Sequence, residues 1–166
     1  MQTPKRDHLI LLTGATGYVG ARLLSRLEAD CRRVRCLARH PESLLSRVSP
    51  GAQVVAGDIL EPESLGRALQ GGAHRLLSYT FIERRQRLRK QRCNRRFAQA
   101  ATKHGVSRII YLGSLGEAAS GLSKRLRSRQ EVGDILRESG IPVTPVPRVH
   151  HYRSRQSFLR IGPSPR

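Results

Sequence analysis

Residues 8–20 read HLILLTGATGYVG, and their reading decides the fold. His8 to Thr13 form a short apolar run closed by glycine, the pattern of a strand buried on both faces. From Val19 to Ala29, apolar residues at Val19, Leu23, Leu24 and Leu27 fall on one face of a helix. Between the two lie three glycines, each with its own physical use. Gly14 permits a tight turn, Gly17 lets the backbone come close to a pyrophosphate, and Gly20 allows close packing of helix on strand. The helix start offers unpaired amides and a partial positive charge to phosphate oxygens. A glycine trio by itself also describes a turn that binds nothing. Placed after a strand, before a helix and inside a βαβ unit, it reads as a dinucleotide-binding turn. Thr13, Gly14, Thr16, Gly17, Tyr18, Val19 and Gly20 are the cofactor-binding candidates of this motif.

Working outward, a second strand is expected at Val34–Ala38. A helical stretch opens at Pro41-Glu42, with Leu44, Leu45 and Val48 on one side. Ala52–Ala56 reads as a third strand, and Glu61–Leu69, with Pro62 near its start, as a third helix. Val106–Leu112 is another buried-strand pattern, Ser123–Ser139 a longer helix ended by Gly140, and Ile141–Val146 a final short strand. Alternation at this spacing predicts parallel βαβ units, and so a fold of the α/β class. Prolines at 142, 145 and 147 are expected to weaken the last strand.

The 166 residues suffice for one domain of ordinary size. Three cysteines without a regular framework argue against a disulfide-stapled secreted module. The basic-then-apolar start is too soon broken by glycine to be a signal peptide, and no window reaches the length of a membrane span. A soluble, cytoplasmic protein is expected. No metal-ligand spacing occurs; Cys31 and Cys36 read as core or near-surface thiols, and His150-His151 as an exposed pair.

The end of the second strand discriminates between dinucleotides. An acid there would accept from the ribose hydroxyls of NAD, whereas an arginine pairs with the extra phosphate of NADP. Arg39 occupies that place, with Arg35 four residues earlier. NADP is therefore the expected cofactor and NAD the lesser candidate, although a solvated strand-end arginine would look the same.

Together, TGATGYVG, CLARHPESL, AGDILEPESLGRAL, RIIYLGSLG and RSRQEVGDILRESGIPVT resemble the atypical short-chain dehydrogenase/reductases, especially the NmrA-like and complex I 39-kDa-subunit-like NAD(P)-binding groups. The resemblance covers residues 8–72 and about 97–146. It implies an α/β, doubly wound parallel sheet, the Rossmann fold, with Asp58 and Ile59 near the adenine and Gly113 and Ser114 facing the nicotinamide side. It also implies that a C-terminal, substrate-binding portion is missing, so the fold is expected to be incomplete at that end.

Two features depart from the family. The first is the lack of its Tyr-x-x-x-Lys pair: none of Tyr18, Tyr79, Tyr111 and Tyr152 has lysine four residues on. Tyr111 lies within a strand, so burial is its expected role. Where NmrA-like relatives often carry a lysine, this chain has Arg129, which does not readily donate or accept a proton. Ser114, at a strand end, more often caps the next turn than contacts substrate.

The second departure is charge. Of the formal +19, residues 73–96 carry nine Lys+Arg against one acid, and residues 147–166 carry five against none. These two short stretches hold +13, where the family has its fourth strand and its turn after the sixth. Shifted by one base, permitted codons for residues 73–90 yield an apolar strand ending in histidine and serine, then an acidic loop. Residues 148–158 likewise yield an apolar strand with a glycine turn. Out-of-frame origin is thus the favoured account, a basic insertion and tail the alternative. Domain organisation is expected as a Rossmann domain over 1–147, with 73–96 an anomalous basic segment, and a basic disordered tail over 148–166. Leu76–Ile82 is apolar enough to fill the fourth-strand slot, while Arg84–Arg96 sets arginines on every helical face.

The function expected is that of an NAD(P)-binding domain whose ancestor transferred hydride to a carbonyl or quinone-like small-molecule acceptor, this copy being impaired. A non-catalytic dinucleotide sensor or assembly subunit is the alternative, which the missing pair favours. A basic nucleic-acid-binding protein ranks third, because Arg84–Arg96 contains no aromatic for base stacking. No specific nucleic-acid partner is expected.

Overall fold

The computed structural model describes residues 8–59, 61–71, 73–78, 87–113 and 124–147. Strands β1 (Leu9–Thr13), β2 (Val34–Ala38), β3 (Gln53–Ala56), β4 (Ala73–Ser78), β5 (Arg108–Gly113) and β6 (Val143–Pro147) form one sheet in the order β3-β2-β1-β4-β5-β6. Every pairing is parallel. Helices α1 (Tyr18–Ala29), α2 (Glu42–Leu45), α3 (Pro62–Leu69), α4 (Arg87–Lys103) and α5 (Lys124–Arg137) make the crossovers. This is the doubly wound Rossmann arrangement.

Strand alternation sorts the core into two layers. Leu9, Leu11, Leu37, Ile109 and Tyr111 pack with Leu65, Ala68 and Leu69 of α3, Phe97, Ala98 and Ala101 of α4, and Val132 and Leu136 of α5. On the other face, Leu12, Val34, Cys36 and Ala38 pack with Leu24 of α1 and Leu44 of α2. All five residues of β1 are buried, as a central parallel strand requires. The chain changes face in the crossover from β3 to β4, so the strand order reverses beside β1.

Several expectations need adjustment. The fourth strand, Ala73–Ser78, begins three residues before the expected Leu76–Ile82, whose residues 79–82 lie outside the described residues. Its start is set by neighbours, because Leu9 pairs with Ala73 and Ile10 with Arg75, a one-residue irregularity at His74. Helix α2 is a single turn in which Leu44 is buried and Leu45 is 62% exposed. Successive helical residues turn by about 100°, so only Leu44 and half-buried Val48 reach the sheet. Helix α4 crosses the expected boundary at residue 96 without a break. Among its described side chains, Arg92, Arg95 and Arg96 lie outside while Asn94 and Phe97 are buried.

The prolines of β6 weaken it less than expected. The amide of Ile109 donates to the carbonyl of Pro142, and Ile109 lies opposite Val143. The parallel ladder then runs through Thr144 and Val146, and turns the backbone of Val143, Pro145 and Pro147 to the open edge. Pro145 and Pro147 therefore remove donors that no strand among the described residues uses. The expected tail, 148–166, lies outside the described residues, as do residues 79–86.

Candidate functional site

The first turn of the chain is built by hydrogen bonds around glycine. Gly14 has φ of +71°, and its carbonyl accepts from the amide of Gly17 at 3.0 Å. Gly17 is the N-cap of α1, in extended conformation and with no side chain to cap the helix. Its carbonyl accepts from Ala21 at 2.9 Å, which starts the helical ladder. The first-turn amides of Tyr18, Val19 and Gly20 are left pointing out of the helix end, the arrangement that receives a phosphate. Gly20 is held hardest: a Cβ there would run into the Gly14 carbonyl oxygen and lie 2.9 Å from the Ala15 Cα. Thr13 is buried at the end of β1, Thr16 is exposed at the tip of the turn, and Val19 is half-buried. Tyr18 is 73% exposed, with the Arg22 guanidinium 4.2 Å from its ring centroid.

The strands beside β1 end at the same carboxyl edge. Thr13 is in register with Leu37, and Ala38 with Ala56. Arg39 follows Ala38 directly and is exposed at that edge. The chain then turns into α2, where Ser43 donates from its amide and its hydroxyl to the carbonyl of His40, at 3.2 and 2.7 Å. Arg35 is elsewhere. Its Nε donates to Gln53 at 2.8 Å, and one terminal nitrogen donates to the carbonyls of Ala68 and Gln70, at 2.7 and 2.6 Å. It satisfies the last carbonyls of α3 and takes no part at the carboxyl edge.

Asp58 and Ile59 leave β3 through a fixed bend that sequence reasoning did not single out. The Gly57 amide donates to the carbonyl of Ala38 at 3.0 Å, tying this bend to the residue before Arg39. A Cβ on Gly57 would lie 2.6 Å from that of Ser64 and 2.9 Å from Leu37 Cδ1. The buried Ser64 hydroxyl accepts from the Asp58 amide at 3.2 Å and lies 3.1 Å from a Glu61 carboxylate oxygen. Gly57 and Ser64 thus position Asp58, which is half-buried, and Ile59, which packs against the α3–α5 side of the core. The available signal was a glycine directly after a strand, where a close backbone approach is common.

Gly113 ends β5 opposite Pro147, two strands from β1 on the same edge. Ser114 lies outside the described residues, as do Tyr79 and Tyr152. Tyr111 is buried in β5, against Gly133 of α5. Cys36 is buried and Cys31 exposed. Among the described residues no group of three metal-binding side chains occurs, and no helix is long and apolar enough to cross a membrane.

The glycine turn, the strand-end arginine and the β3 bend thus lie together where a doubly wound sheet binds a dinucleotide, at its switch point. A curated relative from Streptomyces griseus, (4-alkanoyl-5-oxo-2,5-dihydrofuran-3-yl)methyl phosphate reductase, is 34% identical over 140 residues, which are 82% of this chain and 45% of that protein. Among solved structures, the NADP(H) complex of the Citrobacter sp. triphenylmethane reductase matches with a TM-score of 0.70 and 24% identity, over 83% of this chain and 48% of that one. ChuY, an anaerobillin reductase from Escherichia coli O157:H7, matches with a TM-score of 0.68 and 26% identity, over 84% of this chain and 71% of that one. The chain spans about half the length of the first two. The family model described as NAD(P)H-binding matches residues 14–147, and the chain is an NAD(P)-binding Rossmann domain that belongs to this family.

Proposed function

We propose that the chain binds NADPH in preference to NADH and that, as part of a reductase, it holds the nicotinamide for hydride transfer to a carbonyl or quinone-like acceptor. The observation that carries this reading is the exposed guanidinium of Arg39 at the end of β2, one strand from the glycine turn. A cation there favours a ribose phosphate over a bare ribose diol. The first-turn amides of α1 take the pyrophosphate, and Asp58 and Ile59 border the adenine. Gly113 and Ser114 border the nicotinamide. The cofactor supplies the hydride; this chain supplies binding and orientation.

Burial of Tyr111 in β5 favours a second reading, a dinucleotide sensor or assembly subunit without turnover. Fluorescence titration with NADPH and NADH, followed by assay over a carbonyl and quinone panel, separates the two. NADPH binding tighter than NADH, lost selectively in Arg39→Ala by about 1–3 kcal/mol, is the expected result. Equal affinities that the substitution leaves unchanged would sink the cofactor assignment. Tight NADPH binding with no turnover across the panel would favour the sensor.

A further inference from the structure

Helix α4 contains no acidic residue from Arg87 to Lys103. Its inner side is fixed by Asn94, Phe97, Ala98 and Ala101, all buried. At 3.6 residues per turn, the opposite side is the line through Arg92, Arg96, Gln99 and Lys103. All four are exposed, and Arg95 is exposed beside them. Arg92 and Arg96 are about 6 Å apart along the axis, and the row to Lys103 is about 16 Å long. Since α4 packs between α3 and α5, this row runs along the middle of the helical layer. No ion pair joins any of its cations to an acid among the described residues. The following helix repeats the sign, with Lys124, Arg125, Arg127 and Arg129 before its first acid, Glu131.

We propose that this row binds the phosphate backbone of duplex nucleic acid without reading its sequence. Four features favour that occupant. Cations at fixed spacing on a rigid helix suit a rigid phosphate lattice, and about 16 Å is close to half of a duplex turn. The exposed line has no apolar side chain to insert among lipids, which an interfacial helix needs. It has no aromatic on which a single-stranded base would stack. Gln99 is the only uncharged donor in the line, too little to read base edges. The row exists in this chain whatever route produced residues 73–96.

The test is fluorescence anisotropy of a labelled, random-sequence duplex with the full chain, over about 50 to 200 mM salt. Two charge-matched variants are compared: Arg92→Gln/Arg96→Gln/Lys103→Gln on α4, and Arg22→Gln/Arg26→Gln/Arg47→Gln on the opposite layer. The α4 variant should lower the slope of log affinity against log salt by about 2 to 3, with more than tenfold weaker binding. It should keep its NADPH binding, while the other variant keeps its slope. Single substitutions Arg96→Gln and Lys103→Gln, each lowering the slope by about one, give the same reading if the triple variant does not fold. Equal losses in both triple variants would mean that net charge alone attracts the duplex, and would overturn the assignment. So would tighter binding to phosphatidylserine vesicles than to duplex, or enrichment of a defined sequence that resists heparin.

Discussion

Gly20 sits against the carbonyl group of Gly14, so that a Cβ on Gly20 would lie 2.7 Å from the Gly14 carbonyl carbon. The glycine two turns of sequence away from the strand is therefore a packing requirement, whereas Gly17 is a different case. A Cβ on Gly17 would meet only the Gly14 oxygen, at 3.4 Å, an ordinary contact. The two glycines should fail differently. Gly20→Ala must push α1 off β1 and should destabilise the fold by about 1–3 kcal/mol or more, as overpacking does. Gly17→Val should fold nearly normally and yet lose either dinucleotide, because its branched side chain occupies the phosphate approach. Urea unfolding and NADPH titration of both variants check this; normal binding by Gly17→Val would reduce the motif to a turn.

Arg35 and Arg39 are four residues apart in sequence and do separate work. Arg35 holds the carbonyls of Ala68 and Gln70 at the end of α3. Arg35→Met keeps the apolar stem and removes the donors, and should cost about 1–3 kcal/mol of stability. The ratio of NADPH to NADH affinity should not move. A changed ratio, measured by paired titrations, would place Arg35 in the cofactor site instead.

The fold was legible because its signals are local and mutually consistent. Buried apolar runs, one-sided helices and the glycine turn at Gly14–Gly20 all require the same βαβ arrangement. What the sequence did not disclose depends on neighbours. Leu45 was expected on one side with Leu44 and Val48, but the turn of about 100° between successive helical residues carries it away from the sheet. The extent of β4 follows its register with β1, since His74 is accommodated between Leu9 and Ile10. The prolines of β6 looked damaging because sequence cannot say which amides face an open edge. Likewise Gly57 and Ser64 position Asp58 through contacts with β2 and α3 that no spacing rule encodes.

Helix α1 ends in a motif that usually employs glycine. The amide of Arg32 donates to the carbonyl of Leu27, and that of Cys31 to Glu28, both at 2.9 Å. This is the Schellman arrangement, and Cys31 stands at its left-handed position with φ of +51°. A side chain in that conformation costs on the order of 1 kcal/mol, part of which glycine returns through its freer unfolded chain. Cys31→Gly should therefore raise stability by about 0.5–1 kcal/mol, seen as a higher urea midpoint at unchanged slope. A lower midpoint would show that the exposed thiol contributes more than its backbone costs.

Cys36 gives the domain an alkaline weakness. It lies buried in β2, and burial first, then the Glu28 carboxylate, push its thiol from 9.0 up to about 11. Glu28 is itself held in place, accepting from the Ser49 amide at 2.7 Å. The native state keeps this proton where the unfolded chain releases it. The contribution is thus fully present below about pH 9 and is lost as pH rises toward about 11. Its size is on the order of 2 kcal/mol. Cys36→Ala should be less stable than the parent at pH 8, because it leaves a small cavity, and should lose less on going to pH 11. Urea unfolding of both proteins at the two pH values isolates the thiol from the other groups that titrate there. Parallel losses would mean that the Cys36 thiol ionises in the native state as it does in the unfolded one.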